Sequence, residues 1–231
     1  MDTAIKVELS RVFTDNNGNF GNTVALIMDE ARQLSKLDRQ TIATELSYSE
    51  TVFIDDLATA QINIFNPQKE VPFAGHAVIG AANLITDLLD KPITSLQCNG
   101  IEISTRQDKD IQWIQAPSSL LPPWNYEQKV DAAAVEGIAL AETNKILHLF
   151  VWAWIDEAAG QVRARTFAPD WGIDEDQGNG SGSMGLALML NRELEIMHGE
   201  GSIIYAKPIS EKTAQVGGRV VRDPFQFINQ S

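Results

Sequence analysis

"VPFAGHAVIGAANLI" spans Val71–Ile85, and its reading decides the fold. It opens extended around Pro72, then turns at Gly75-His76 into a helical pattern built mostly of Gly, Ala and aliphatic residues. A helix that is apolar all round is buried, and one with such small side chains can be closely wrapped by a sheet. Just upstream, "AQINIFNP" (Ala60–Pro67) alternates at period two and ends in Phe-x-Pro. The second half repeats this order. "QVRARTFAP" (Gln161–Pro169) alternates and ends in Phe-x-Pro, and after a short loop "GNGSGSMGLALML" (Gly178–Leu190) opens another glycine-led helix. Chance likeness of two strand–helix joints is the alternative. Agreement in order, ending and helix character favours duplication. The pattern predicts an α+β fold of two pseudo-symmetric halves, each a curled mixed sheet wrapped around a central helix.

The remaining segments fit that scheme. "IKVELSRVF" (Ile5–Phe13), "TVALIM" (Thr23–Met28), "ETVFID" (Glu50–Asp55), "IQWIQA" (Ile111–Ala116) and "LHLFVWAW" (Leu147–Trp154) read as strands, and Asn99-Gly100 as a hairpin turn. "QLSKLDRQTIATELS" (Gln33–Ser47) reads as an amphipathic helix with Ser35 as cap and Leu34, Leu37, Ile42 and Leu46 on its apolar side. Pro117, Pro122 and Pro123 crowd one stretch and mark a crossover, giving halves 1–116 and 117–231.

Composition narrows the function classes. A chain of 231 residues, 44% hydrophobic and 21% charged, can bury a real core. No apolar run approaches a membrane span, and "MDTAIKVELS" has no basic start followed by an apolar stretch. A single Cys excludes an internal disulfide framework and suits a reducing, cytoplasmic compartment. A net charge of −13 argues against nucleic acid and anionic membrane as partners, yet leaves room for a locally positive pocket.

The first amides of a helix lack intrahelical partners, and the helix dipole makes that end partly positive. Glycine lets a ligand approach the backbone closely. Two matched glycine-led helix ends facing one cleft would hold a small carboxylate or phosphate; tight turns alone are the plainer account of the glycines. Other signatures are weaker. Gly180–Gly185 fits G-x-G-x-x-G, but a dinucleotide fingerprint follows directly on an apolar strand, and here Asp174, Glu175 and Asp176 intervene. No Lys completes a P-loop, "DEDQGNGSGSMG" lacks the later ligands of a calcium loop, and His76, His148 and His198 have no metal-ligand spacing. A Ser181/His76/Asp176 triad has no nucleophile elbow around the serine. Cys98 reads as a packed small residue. What remains are acids beside the glycine helices. Glu50 stands where the amphipathic helix meets an apolar strand, either simply solvated or placed at a cleft rim to carry a proton. Asp176 precedes Gly180 by four positions and either complements the helix dipole or acts in the site.

Four stretches in this order, "FGNTVAL" (Phe20–Leu26), "LSYSETVFI" (Leu46–Ile54), "IFNPQKEVPFAGHAVIG" (Ile64–Gly80) and "RTFAPDWGIDEDQGNGSGS" (Arg165–Ser183), closely resemble the PhzF-like phenazine-biosynthesis family. That family shares the diaminopimelate epimerase fold. The resemblance implies two halves with the site between them, Glu50 as the proton-transferring acid/base, and His76 and Asp176 orienting substrate and neighbouring carboxylate. It further implies Gly75, Gly180 and Ser181 as donors to a substrate carboxylate, a homodimer, and no cofactor or metal. The best-known member isomerises a dihydro-hydroxyanthranilate by moving a proton along one ring face. This chain departs from the family in two ways, and from true diaminopimelate epimerases in a third. It is shorter between Trp124 and Val162. It has "DQGNGS" (Asp176–Ser181) where Asp-Pro-Ala-Thr-Gly-Ser is common, and its one Cys cannot supply the cysteine pair of true diaminopimelate epimerases. The leading expectation is a cofactor-independent isomerase or epimerase of a small carboxylated metabolite. A catalytically weak small-acid binder stands second, and a dinucleotide-dependent or serine-type enzyme third.

Overall fold

The computed structural model describes residues 4–140 and 146–229. Residues 141–145, part of the stretch expected to be shortened, lie outside the described residues. The chain divides into two compact units. One comprises the chain up to Val12, Thr23–Ile114 and the chain from Val220 onward; the other comprises Phe13–Asn22 and Gln115–Arg219.

The first unit contains β1 (Ala4–Thr14, to Val12), β2 (Asn22–Met28, from Thr23), α1 (Lys36–Leu46), β3 (Glu50–Asp56), β4 (Gln61–Phe65), β5 (Glu70–Val71), α2 (Gly75–Leu89), β6 (Ser95–Cys98), β7 (Ile101–Asp108) and most of β8 (Ile111–Pro117). Its strand order is β1-β2-β3-β4-β6-β7-β8, with β5 paired to β4. The second unit contains β9 (Asn125–Gln128), α3 (Ala132–Glu136), β10 (Leu149–Asp156), β11 (Gln161–Ala168), β12 (Ile173–Asp176), α4 (Gly180–Leu190), β13 (Leu194–His198), β14 (Ser202–Ser210) and the start of β15 (Thr213–Asn229). There the order is β15-β14-β13-β11-β10-β9, with β12 paired to β11.

The duplication is topological. β2 runs parallel to β3 and β9 parallel to β10, each pair joined through a helix. β3/β4 and β10/β11 are antiparallel, with register shifts at Ile54/Asp56 and Trp154/Asp156. β4/β6 and β11/β13 are parallel across the glycine-led helices α2 and α4. Both central helices end on a left-handed cap, Asp90 at φ 51° and Asn191 at φ 49°. The following amides, Lys91 N and Arg192 N, reach back to the Thr86 and Ala187 carbonyls at 3.2 Å each, closing the last turn. Among the described residues α3 has five residues where α1 has eleven.

Small residues let the central helices sink. Eleven of the fifteen residues of α2 are buried. A Cβ on Gly80 would stand 2.6 Å from Val24 Cγ1, so only glycine lets this turn reach β2. In α4, a Cβ on Gly182 would meet the Phe150 ring at 2.4 Å, and one on Gly185 the Tyr126 hydroxyl at 2.0 Å. These two glycines of the G-x-G-x-x-G pattern are filled by aromatic side chains of β10 and β9.

The outer helices cover smaller cores. Ile42 and Ala43 of α1 pack on Val7, Ala25, Ile27, Phe53 and Phe65, the two phenyl rings edge to face at 5.5 Å. Val135 of α3 packs on Leu149, Val151, Ala153 and Phe167. The capping box of α1 joins Asp38 N to Ser35 Oγ (3.2 Å) and Ser35 N to Asp38 Oδ2 (2.8 Å). One expectation is corrected here: Leu37 is not on the apolar side but 75% exposed. At 100° per residue it sits roughly 140° around the helix from Ile42. The buried face carries Arg39 with Ile42 and Ala43 instead. Arg39 donates from Nη2 to Asp29 Oδ2 and Asp55 Oδ1, both at 2.6 Å. Burial pulls the guanidinium pKa down, but the two carboxylates more than offset this and raise it. Among the described residues no helix is long and apolar enough to cross a membrane.

Candidate active site

In the first unit, Glu50 begins β3 and His76 is the second residue of α2. β3 is central, between β2 and β4; Glu50 is paired with Val24 of β2, and the next residue, Thr51, with both Ala25 of β2 and Phe65 of β4. His76 Nε2 lies 3.0 Å from Glu50 Oε2, with side chains 7% and 16% exposed. Both atoms are secluded, and their angles fall short of a full hydrogen bond. A contact of this kind commonly tightens only when substrate arrives. Gly75 is buried at the start of the same helix, and the N-cap residue Ala74 supplies no side-chain cap. The extended backbone of Ala74 therefore leads into the positive end of a buried helix beside an acid–imidazole pair. Cys98 is also in this unit, with Sγ donating to the Pro72 carbonyl at 3.3 Å. Burial, then the nearby Glu70 charge, pushes its thiol up to about 12, so it is inert packing.

In the second unit, Asp176 ends β12, and Gly180 and Ser181 open α4. Asn22 Nδ2 and Gly178 N both donate to Asp176 Oδ1 at 2.9 Å. The N-cap of α4 is Asn179, whose Oδ1 accepts from Gly182 N at 2.6 Å. The Ser181 hydroxyl is engaged by Asn179 Oδ1 at 3.2 Å and by the Trp124 indole N–H at 3.1 Å. Those partners leave no serine nucleophile poised on an imidazole. Trp124 in turn packs edge-on to Trp171 at 5.5 Å. Glu175 is drawn to Arg165 at 2.7 Å. The three histidines have separate companions: Glu50 for His76, Asp170 for His148 at 2.8 Å, and Thr166 for His198 at 2.8 Å. Among the described residues no three His, Cys, Asp or Glu side chains group as metal ligands do.

Glu50 and His76 are thus brought together beside Gly75, whereas Asp176 is held by Asn22 and Gly178 and Ser181 by Asn179 and Trp124. Several of their supporting residues carry no local signal. Asn22 lies within "FGNTVAL" but is 154 positions from Asp176. Trp124 and His198 give no periodicity that would tie them to α4 or Asp176. Asn179 alone was recognisable in principle, as an Asn directly before a helix.

Comparison with known proteins shows the family and the fold. The family model for phenazine biosynthesis-like protein, PhzC-PhzF, matches residues 10–142, more than half of the chain. The trans-2,3-dihydro-3-hydroxyanthranilate isomerase of Pseudomonas chlororaphis is 26% identical over 217 residues, covering 78% of each chain. Among solved structures, a PhzF-family phenazine biosynthesis protein from Enterococcus faecalis superposes with a TM-score of 0.80 at 17% identity, covering 98% of this chain and 99% of that one. A hydroxyproline epimerase from Agrobacterium vitis has the same fold at a TM-score of 0.62 and 10% identity, covering 99% of this chain and 94% of that one. By its matched motifs and its architecture, the chain belongs to the PhzC-PhzF phenazine biosynthesis-like family, whose named relatives include isomerases.

Proposed function

We propose that the chain is a cofactor-independent isomerase or epimerase of a small carboxylated metabolite, with Glu50 moving the proton. The observation that carries this is the secluded Glu50–His76 pair at 3.0 Å, beside a buried helix end with no side-chain cap. A carboxylate in that setting takes a proton from a substrate carbon next to an unsaturated or carboxyl-bearing centre, and returns it elsewhere as an acid. His76, in contact with the same oxygen, orients the carboxyl or takes part in the transfer. The family resemblance makes backbone amides near Gly75, those near Gly180, and Ser181 the candidate donors to a substrate carboxylate. Asp176 orients its neighbours in a single-acid shuttle, or supplies the second acid in an epimerisation. A homodimer is part of this proposal, on the family resemblance.

The dihydro-hydroxyanthranilate named for the Pseudomonas relative is the first substrate to assay, followed by cyclic and amino-acid carboxylates. Glu50→Gln keeps size and hydrogen bonding but cannot accept a proton. Its kcat is expected to fall on the order of 10²–10⁴-fold with KM little changed. Full turnover by Glu50→Gln would overturn the mechanism. Saturable binding of such acids with no turnover by the parent chain would favour the binding-protein reading.

A further inference from the structure

The tight turn between β13 and β14, His198-Gly199-Glu200-Gly201-Ser202, is closed by Gly201 N donating to the His198 carbonyl at 3.1 Å. Each residue of this turn is set against one of two segments. His198 is fully buried, with Nε2 2.8 Å from Thr166 Oγ1, and Thr166 is the register partner of Asp176. The ring also faces the Gln177 backbone, and which of Thr166 Oγ1 and Nε2 donates follows from the tautomer. Gly199 has φ +55°, and a Cβ there would stand 2.6 Å from Gln177 Oε1 and 3.0 Å from the Gln177 Cα and carbonyl oxygen. Glu200 N donates to Gln177 Oε1 at 3.0 Å. Gly201 lies so close to Phe20 that a Cβ would meet its ring at 2.7 Å. Ser202 Oγ accepts from Gly21 N at 3.0 Å.

The two segments meet on one carboxyl. Gln177 directly follows Asp176. Gly21 directly precedes Asn22, which donates to Asp176 Oδ1, the same oxygen that takes Gly178 N. We propose that Gln177 and the His198–Ser202 turn form a clamp that fixes the orientation of the Asp176 carboxyl, making Gln177, His198 and Gly199 positioning residues for the reaction. The inference rests on the reading above that Asp176 belongs to the active site. It gives a reason for Gln177 at the position where the resembling family commonly has proline: its side-chain amide accepts the Glu200 amide proton and ties the acidic loop to the turn. Gly178 fits the same assembly closely: a Cβ there would stand 3.0 Å from the Phe13 ring and 3.1 Å from Asn22 Cβ, so these neighbours would have to give way slightly.

Gln177→Met removes the acceptor at similar volume, and Gly199→Ala pushes the turn away from Gln177. The first readout needs no substrate: hydrogen exchange of the Gly178 amide and the Asn22 side-chain amide, followed by NMR. In both variants their exchange is expected to quicken by about tenfold or more, while amides of β3 keep the parental rate. The second readout is turnover of the substrate on which the parent shows Glu50-dependent activity. There kcat is expected to fall on the order of 10–100-fold with KM within about twofold, as for a displaced reacting group. Unchanged Gly178 and Asn22 exchange in Gln177→Met overturns the clamp, whatever Gly199→Ala does to folding. Faster exchange with parental kcat overturns its role in the reaction. Losses that follow a lowered unfolding midpoint also overturn it, since a purely structural role would give that result. Glu50→Gln runs alongside: if that variant is inactive and Gln177→Met is fully active, the clamp fails and the site reading stands, whereas full activity of Glu50→Gln removes both.

Discussion

Ala60 and Gly160 close the same turn in the two halves of the repeat. Ala60 has φ 51° and its carbonyl accepts from Gln97 N at 2.9 Å; Gly160 has φ 72° and its carbonyl accepts from Glu195 N at 3.0 Å. The turns begin alike, with Asp56 Oδ1 taking Thr59 N and Asp156 Oδ1 taking Ala159 N, each at 3.0 Å. An L-residue in the left-handed region costs about 1–2 kcal/mol, and glycine does not bear that cost.

The two positions therefore have opposite expected responses. Ala60→Gly relieves the strain and gives back part of it as unfolded-state entropy. Stability is expected to rise by about 0.5–1 kcal/mol. Gly160→Ala adds the strain and sets a Cβ 2.6 Å from the Glu193 carbonyl oxygen, a backbone atom that cannot swing aside. It is expected to lose about 2 kcal/mol or more. Urea midpoints at constant slope check both signs, and a destabilised Ala60→Gly would show the turns are not equivalent.

The repeat was legible because it is written in local chemistry. Phe65-x-Pro67 and Phe167-x-Pro169 stop alternating strands, and all-apolar small-residue patterns demand burial whatever surrounds them. The turn equivalence of Ala60 with Gly160 was not legible, since alanine gives no sign of positive φ. Leu37 was misplaced because a count of apolar residues cannot foresee that Arg39 occupies the buried face between two aspartates. The site divides the same way. Glu50 and His76 stand in motifs that mark a strand start and a helix start, so the pair could be found by resemblance. Asn22, Gln177 and His198 act through contacts made only in the folded chain, where no spacing or propensity records them.

Arg39 makes a prediction of its own. It joins Asp29 and Asp55 with side chains 10%, 5% and 6% exposed, and its guanidinium lies 5.1 Å from the Phe53 ring centroid. Arg39→Met keeps the packing stem but leaves two secluded carboxylates without their cation. The expected loss is about 3–5 kcal/mol at neutral pH. Replacing all three with apolar residues, as Arg39→Met with Asp29→Leu and Asp55→Leu, should recover most of it, because no charge is then left buried. Thermal or urea unfolding of the single and triple variants measures the difference; equal losses in both would show that the side chains act by packing alone.

His198 sets a pH dependence. Burial first, then the Arg163 charge, lowers its pKa to about 3, against about 6.5 in the unfolded chain. Between those values the unfolded state binds a proton that the folded state refuses. The contribution is therefore fully present above about pH 6.5 and is lost as pH falls below it, by about 1.4 kcal/mol per pH unit. Between pH 7.5 and pH 5 the parent should lose about 2 kcal/mol more than His198→Gln. The carboxylates held low by hydrogen bonds, such as Asp38 and Asp56, titrate below this window and are shared by both proteins. Parallel stability curves for parent and variant from pH 7.5 to 5 would mean that His198 takes a proton in the folded chain.

The last prediction separates the two ways of using the Glu50–His76 pair. In a single-acid shuttle, Glu50 lifts a proton from one carbon and delivers it to another on the same face. Part of the original hydrogen then returns to product even in deuterated water. In a two-acid epimerisation, one group removes the proton while another protonates the opposite face, so product takes up solvent deuterium at every turnover. Asp176→Asn distinguishes the same alternatives by size. If Asp176 orients its neighbours, held by Asn22 and Gly178 at 2.9 Å, its loss should be milder than that of Glu50→Gln. If it is the second acid, the two losses should match at about 10²–10⁴-fold in kcat. His76→Asn shortens the side chain and opens the 3.0 Å contact with Glu50, with kcat expected to fall on the order of 10–100-fold. The shuttle predicts retained substrate hydrogen together with a mild Asp176→Asn; the epimerase predicts full deuterium uptake together with a severe one. Full deuterium uptake with a fully active Asp176→Asn would fit neither, and would remove Asp176 from the chemistry while leaving Glu50 to exchange its proton with water between steps.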